Sequence, residues 1–550
     1  MTTEVIAATD RFPAPQWVSP SLRVDKGEDP LGLQSTTQDR LMPLLAPGIL
    51  ELSERARYLS FYAFLLDEYR RERRRTDTAA LSSYIKQKEW DLGLAVRRCP
   101  RHCGSSPVGA QRLGAWVQGQ GPFERGESVQ SPLGGYGLYY RSPLSEIGIV
   151  AKAGTLLGDE PIPIDVLYDT ERARRMADTF RDAVVGTQYY ARAMRTSEPM
   201  SADVVDELAE VACLCRLQDF AAERDAVQDA LFGSDADAEL APAQGAAIEA
   251  GLLQRRRTVG HYLTLIETDP AVVKSRSAYR DAQWGTVASH GPGHEVVAGQ
   301  WAAVVAKDVW QEALCSVWTS FCRTGVDQTH QLGRGLSWDE VRWLASAMVE
   351  GPPTLDQDDP TAELAAALEA GRLPLTGPEG LELDVTALSM DELRRYTREF
   401  DTATSGVVVL LELARRVRTR TGKGWVQGVR QRSRWQPSLA EVMADLDEHL
   451  VGSPTIGDTL WWLVSRFIMP VHERIAYSKL PVSSFTFRFR WEDGLLRFYD
   501  LGLERFILAA TRFSSLASLT RDLGFWEPTG SDGAAEVTEA GTRFIYEAFS

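Results

Sequence analysis

Cysteine is scarce. The six in 550 residues, at Cys99, Cys103, Cys213, Cys215, Cys315 and Cys322, are too few for the disulfide framework of a small secreted domain, and a chain this long buries enough apolar surface to need no such staples. Long hydrophobic runs are lacking too. No stretch reaches the roughly 18 apolar residues that cross a bilayer, and Met1 to Trp17 has neither the basic start nor the apolar run of a secretory signal. A soluble, cytoplasmic protein with no membrane partner is expected. Cations are in deficit, 60 Lys plus Arg against 76 Asp plus Glu, for a net charge of −16. That excludes a general nucleic-acid coat but leaves room for a local basic face. Nucleotide-cradling motifs are missing as well. Gly422-Lys423-Gly424 is out of order for a P-loop, and Gly134-Gly135-Tyr136-Gly137 lacks the strand, spacing and helix of a dinucleotide fingerprint. Those latter glycines read as a tight turn with Tyr139 and Tyr140 packed beside it.

What the chain does have is helical periodicity. Ile49, Leu52, Ala56, Leu59, Ala63 and Leu66 recur at three- and four-residue steps, which predicts a helix opened by Pro47 and Gly48. Further helices are expected over Thr78 to Arg98, through Thr170 to Phe232, from Met390 to Arg420, from Leu439 to Leu450, and from Thr459 to about Lys479 with an interruption at Pro470. Trp284, Trp301, Trp310 and Trp318 read as core residues of a central helical domain. The fold class is mainly α: a multi-domain helical body with a small C-terminal α+β module. The expected divisions are a loose arm over 1–30, helical domains over 31–232, 233–350 and 381–484, a linker over 351–380, and a module over 485–550. Two acidic stretches, Ser234 to Glu239 and Gly351 to Pro360, read as exposed loops.

Metal and catalytic candidates are thin. Cys99-Pro100-Arg101-His102-Cys103 gathers three soft ligands, but a structural zinc site needs a fourth ligand and usually a second knuckle. Cys213-Leu214-Cys215 lies in an apolar helical run and is not expected to supply one. The six cysteines are therefore read as reduced thiols acting as small hydrophobes, with no metal and no cofactor expected. His290 and His294 share a Gly/Pro-rich segment read as a flexible polar loop. Arg256 and His261 have the R-x4-H spacing of some helical ribonucleases, a short pattern that arises by chance in Arg-rich helices.

The most unusual local feature is residues 415–434, RRVRTRTGKGWVQGVRQRSR. Arg415, Arg416, Arg418, Arg420, Lys423, Arg430, Arg432 and Arg434 occur there without one carboxylate. Gly422, Gly424 and Gly428 suggest a flexible loop, and Trp425 and Trp435 are spaced to stack on bases or to anchor that loop. Arginine mixed with aromatics suits a phosphate backbone and single-stranded bases; the competing reading pairs the cations with the protein's own acids or an acidic partner. At the C-terminus, Phe485 to Trp491 alternates as a half-buried strand, Glu492-Asp493-Gly494 supplies a turn, and Leu495 to Tyr499 returns. Then come a helix from Arg512 to Leu523 ending at Gly524, a strand at Phe525-Trp526-Glu527, a tip at Thr529 to Gly533, a strand at Glu536-Val537-Thr538, and a helix from Glu539 to Phe549. LTRDLGFWE…AAEVTEAG, within Phe506 to Ser550, resembles the winged-helix variant of helix-turn-helix. That resemblance implies Arg512 and Arg521 on the helix that would face DNA, or equally a protein-docking module.

Two stretches carry a second resemblance. Residues 31–67, with Pro47, Gly48, Arg55, Ala56, Arg57, Tyr58 and Phe61, resemble the opening of uncharacterised bacterial proteins with a P-G…R-A-R-Y…F core. Residues 471–491, with His472, Arg474, Ala476, Lys479 and Leu480, are similar to the end of such proteins. The resemblance implies an accessory protein encoded near restriction-like or phage-defence genes, with no known catalytic residues. From the residues themselves, Arg55 and Arg57 are expected to pair with carboxylates of a neighbouring helix, and His472 and Lys479 to sit in a satisfied interdomain polar network. The leading functional expectation is a non-catalytic accessory or scaffold subunit of an anti-phage defence assembly, binding DNA or RNA through residues 415–434 and other protein subunits through its helical and winged-helix surfaces. The alternatives are a nuclease, with Arg256 and His261 as candidates, and a purely protein-docking adaptor.

Overall fold

The computed structural model describes residues 29–550 apart from 73, 115–116, 118–120, 158–159, 234–239, 241, 287, 352–353, 372–373, 377–381, 481–485, 502–510 and 531–532. The expected arm over 1–30 (Asp29 and Pro30 aside) and the acidic stretch Ser234 to Glu239 lie outside the described residues. The protein is mainly α-helical, with short two-stranded antiparallel hairpins. It divides into two compact units, each assembled from separated stretches. One comprises Met1–Met42, Gln283–Gly285 and Ala298–Ala509; the other comprises Pro43–Ala282, Thr286–Val297 and Ala510–Ser550.

The first unit is built on the long helix Pro292–Leu332 from Ala298 onward. Trp301, Trp310 and Trp318 are all buried there, as core residues should be. The predicted helix from Met390 to Arg420 is two helices, Met390–Phe400 and Ala403–Arg418. Asp401 takes a left-handed conformation and the Thr402 hydroxyl accepts the Ser405 N–H, so a capping residue ends one helix and starts the next. Val407, Val408, Val409 and Leu410 of the second helix are fully buried. Ahead of Pro470 the backbone widens into a π-turn, Val464–Ile468, before Met469–Lys479 resumes; a proline has no N–H to give the preceding turn. The hairpin Phe489–Glu492 with Leu495–Phe498 pairs Phe489 with Phe498 and Glu492 with Leu495. Asp493 and Gly494 both have positive φ, as a tight two-residue hairpin turn requires. His472 sits in the predicted polar network: its Nδ1 lies 3.2 Å from the Pro30 carbonyl and its Nε2 accepts the Arg488 N–H at 3.0 Å.

The second unit holds the helices Arg57–Arg71, Thr78–Arg97, Glu171–Val184, Ala202–Ala212, Ala221–Phe232 and Pro242–Thr268. The first of these begins eight residues later than the periodicity predicts. Gly48 turns the chain with φ +73°, and the Ser53 hydroxyl is tied to the Tyr139 carbonyl, so Ile49 to Ala56 pack as turns. The C-terminal order is as expected: helix Phe513–Asp522, strands Trp526–Thr529 and Ala534–Val537, helix Glu539–Phe549. Phe525 and Phe544 stack at 4.6 Å between ring centres, with Phe232 against them.

Candidate metal centre

Four of the six cysteines converge. The Sγ atoms of Cys99, Cys103, Cys213 and Cys215 all lie within 4.8 Å of one another. Individual separations are 3.6 Å for Cys99–Cys215, 3.7 Å for Cys103–Cys213 and 3.6 Å for Cys213–Cys215. A disulfide needs about 2.05 Å. Four thiolates each about 2.3 Å from one tetrahedral Zn²⁺ stand about 3.8 Å apart, so the spacing is that of a ligand set and not of bonded sulfurs.

The local sequence explains how each pair is presented. The helix Thr78–Arg97 ends at Arg98, and the chain turns back through His102, whose φ is +48° and whose N–H donates to the Cys99 carbonyl at 3.0 Å. That reversal brings Cys103 beside Cys99 and leaves His102 itself exposed and outside the cluster. The second pair overturns the reading of Cys213-Leu214-Cys215 as helix interior. Ala202–Ala212 stops at Cys213, which has φ −53° and ψ 142°, and a 3₁₀ turn, Leu214–Asp219, follows. The extended residue breaks the helical period, so Cys213 and Cys215 share one side while buried Leu214 packs inward. The reading of all four thiols as mere core hydrophobes is corrected with it.

Arginines hold the frame. The buried Arg57 guanidinium donates to the Cys213 carbonyl at 2.7 Å and to both Glu223 oxygens at 3.1 and 2.8 Å. Phe180 and Phe220 sit beside it, 5.4 and 5.0 Å from ring centre to guanidinium carbon. Arg98 pairs with Asp206 at 2.7 Å and Arg101 with Asp219 at 2.6 Å, each tying the Cys99 segment to the Cys213 segment. Arg55 takes Asp522 in a two-point pair, 2.9 and 2.8 Å, and donates to Ser105 at 3.0 Å. Arg55 and Arg57 thus meet helix carboxylates as expected. Burial pushes the Cys103 thiol up, but the Ser105 hydroxyl and N–H and the neighbouring thiols outweigh it and bring it down to about 7. Burial pushes Cys213 up, and Cys215 up to about 11. A cavity of about 260 Å³, walled in part by Cys103, Cys215, Arg55 and Arg521, gives an ion a path to the sulfurs.

The basic segment is not a loop. Ala403–Arg418 runs into it, and Lys423–Val429 is a helix whose Gly424 and Gly428 lie close against Gly299 and Ala303 of the long helix. These glycines permit close backbone approach. Trp425 and Trp435 are 4% and 6% exposed, so they anchor the segment and offer no face to a base. Arg415 and Arg416 both grip buried Glu412, at 2.7 and 2.6 Å, and Arg416 also donates to the Leu388 carbonyl at 2.7 Å. Arg418 pairs with Asp447 and Arg432 with Glu441 at 3.6 Å. Arg420 lies over the Trp284 ring at 3.8 Å, Arg434 over Trp435 at 4.9 Å, and Lys423 and Arg430 are exposed.

Of the winged-helix candidates, Arg521 is exposed, while Arg512 is half-buried with its N–H on Glu51 at 2.8 Å. Arg256 spends its guanidinium on the Phe232 carbonyl at 2.7 and 2.9 Å. His261 Nδ1 meets His294 Nε2 at 2.9 Å, both rings buried. His294 is therefore not in a flexible loop but in the first turn of Pro292–Leu332, and the His290 N–H donates to its Nδ1 at 3.2 Å. Among the residues that sequence reasoning missed, Glu223 and Glu89 carry the most. Glu89, fully buried, accepts from Tyr62 at 2.8 Å and from the Gly135 and Tyr136 N–H groups at 3.0 and 2.7 Å. Compared with known proteins, the chain matches no family model, no curated protein and no solved structure.

Proposed function

We propose that this protein is a zinc-stapled helical adaptor, in which Cys99, Cys103, Cys213 and Cys215 take one Zn²⁺ and the protein acts by docking partners rather than by chemistry at the metal. The observation that carries the reading is the convergence of four sulfurs, all within 4.8 Å of one another, from two segments some 110 residues apart in the chain. Four thiolate ligands close the coordination sphere. A catalytic zinc keeps one position for water or substrate, and an all-cysteine set leaves none. Binding requires the thiols to lose their protons. Cys103, brought down to about 7, gives up its proton readily. The N–H groups of Ser105 and Cys215, aimed at the sulfurs of Cys103 and Cys213, favour the charged form. Closing a loop of this length across two segments stabilises the second unit chiefly by restricting its unfolded chain.

Metal analysis of protein purified under thiol protection tests this. One zinc per chain is expected, together with the visible d–d absorption of a tetrahedral cobalt thiolate after exchange. Cys103→Ser and Cys213→Ser should each lower the zinc content and the melting temperature, and Cys315→Ser should leave the zinc content unchanged. Substoichiometric zinc that neither ligand variant alters would end the reading.

A further inference from the structure

In the first unit, away from the thiols in the chain, a surface cavity of about 240 Å³ is walled by four arginines: Arg432, Arg434, Arg466 and Arg474. Asp445 is the one carboxylate among the described residues of its wall. In a molecule with a net charge of −16, four guanidinium groups around one small hollow are a costly arrangement unless an anion shares them. Among the described residues, internal carboxylates engage Arg466 and Arg432. Asp445 accepts two bonds from Arg466, at 2.9 and 2.6 Å, and Glu441 stands 3.6 Å from Arg432. These pairs are at the surface, where an ion pair contributes little and yields readily to a better ligand. Arg474 is oriented from behind by the Pro470 and Trp435 carbonyls, at 3.3 and 3.2 Å, and Arg434 lies over the Trp435 ring. Arginine planes fixed in this way are preorganised for two-point recognition of oxyanions.

We infer that this cavity binds the terminal phosphate of a phosphate monoester, as carried by a nucleotide or by the 5′ end of a nucleic-acid strand. Three features select that chemistry. A monoester is close to a dianion at neutral pH, its second pKa being about 6, which suits a wall where arginines outnumber carboxylates among the described residues. A diester brings one charge per phosphate and leaves more of the wall uncompensated. The volume suits a phosphate with a sugar-sized group and not a whole base, and buried Trp435 and Phe467 give that group an apolar floor.

Calorimetry on the full chain at low salt tests the inference, with inorganic phosphate, AMP, and one single-stranded oligonucleotide made with a 5′-phosphate and again with a 5′-hydroxyl. The 5′-phosphorylated strand should bind roughly tenfold or more tighter than its hydroxyl twin, and inorganic phosphate should displace it. Binding by AMP stronger than by the strand would identify a free nucleotide as the source; the reverse order would identify a strand end. The exposed pair R466Q/R474Q, checked for native circular dichroism, should lose that binding, and R395Q, on a different helix, should not. Equal affinity for the two strands would overturn the inference. So would failure of phosphate to compete on the wild-type protein, or unchanged binding by a folded R466Q/R474Q variant.

Discussion

The Arg57–Glu223 pair is where the fold and the proposed metal centre are coupled most tightly, and it permits a quantitative test. Both side chains are at most 1% exposed, and Ser60 adds a 2.6 Å hydrogen bond to the carboxylate. Glu223→Leu would strand a guanidinium in the core, and Arg57→Met would strand a carboxylate. Each should cost about 3–5 kcal/mol, the usual penalty for a buried charge left alone. In a folding unit of this size that is about 6–20 °C in melting temperature. The double variant replaces both ions by apolar groups and keeps the loss of the Cys213 carbonyl bond, about 1.5–3 kcal/mol, while the Ser60 hydroxyl, having lost the carboxylate, still has the Arg57 carbonyl at 2.9 Å. It should therefore be more stable than either single variant. Melting followed by circular dichroism, with and without zinc, reads all four corners of the cycle. Arg57→Met and the double variant should also bind zinc more weakly by roughly 10–100-fold, because both release the Cys213 backbone. Additive single effects, or a loss below about 1 kcal/mol in each, would refute the claim that this pair is a buried, mutually dependent strut.

Three further outcomes follow from the geometry. Burial holds His472 down to about 3 and His294 down to about 4, against 6.5 in an unfolded chain. The unfolded state then takes up protons that the folded state refuses, so stability is whole above about pH 6.5 and falls on acidification, by about 2 kcal/mol per histidine at pH 5. His472→Asn should flatten that slope in urea titrations between pH 6.5 and 4.5, and an unchanged slope would remove His472 from the account. Gly134→Ala should cost about 2–3 kcal/mol, since φ is +63° and a methyl would stand 2.5 Å from the buried Glu89 carboxylate; calorimetric melting would show it. Arg416→Ala should lower the melting temperature and leave oligonucleotide affinity untouched in fluorescence anisotropy, because its guanidinium is spent on Glu412 and three backbone carbonyls.

Elements with strong local signals were legible in the sequence. The helix over Thr78 to Arg98 was recognisable from its sequence pattern, and the structure adds the Asp77 carboxylate as its cap. The C-terminal helix, hairpin and helix were readable because Gly524 and the 529–533 tip punctuate them, while Thr538, read as strand, caps the last helix. Half of the thiol cluster was visible as Cys99-x3-Cys103. The other half was hidden because Leu208, Ala209, Ala212 and Leu214 continue an apolar pattern across a break that no proline or glycine announces. What stops the helix there is tertiary: Arg57, 156 residues earlier, takes the carbonyl of Cys213. Buried pairs such as Arg57–Glu223 leave no local trace, and neither does the assembly of each unit from stretches far apart in sequence.

The arginine-rich segment shows why a window of sequence misjudges charge. Residues 415–434 contain no acid, yet the helix that enters them carries Glu412 one turn earlier, at i−3 and i−4 from Arg415 and Arg416. Helical geometry therefore neutralises the densest part of the run from outside the window. Asp447 and Glu441, on the Leu439–Val451 helix, reach back to Arg418 and Arg432. What remains is set by topology: Arg432 and Arg434 gain Arg466 and Arg474 from a stretch some 35 residues further on. This four-arginine cavity is thus not contiguous in the chain, and only half of it comes from the basic segment. If polyanion affinity resides in this protein, charge reversal at Arg466 and Arg474 should abolish it, while the same change at Arg415 and Arg416 should act first on folding.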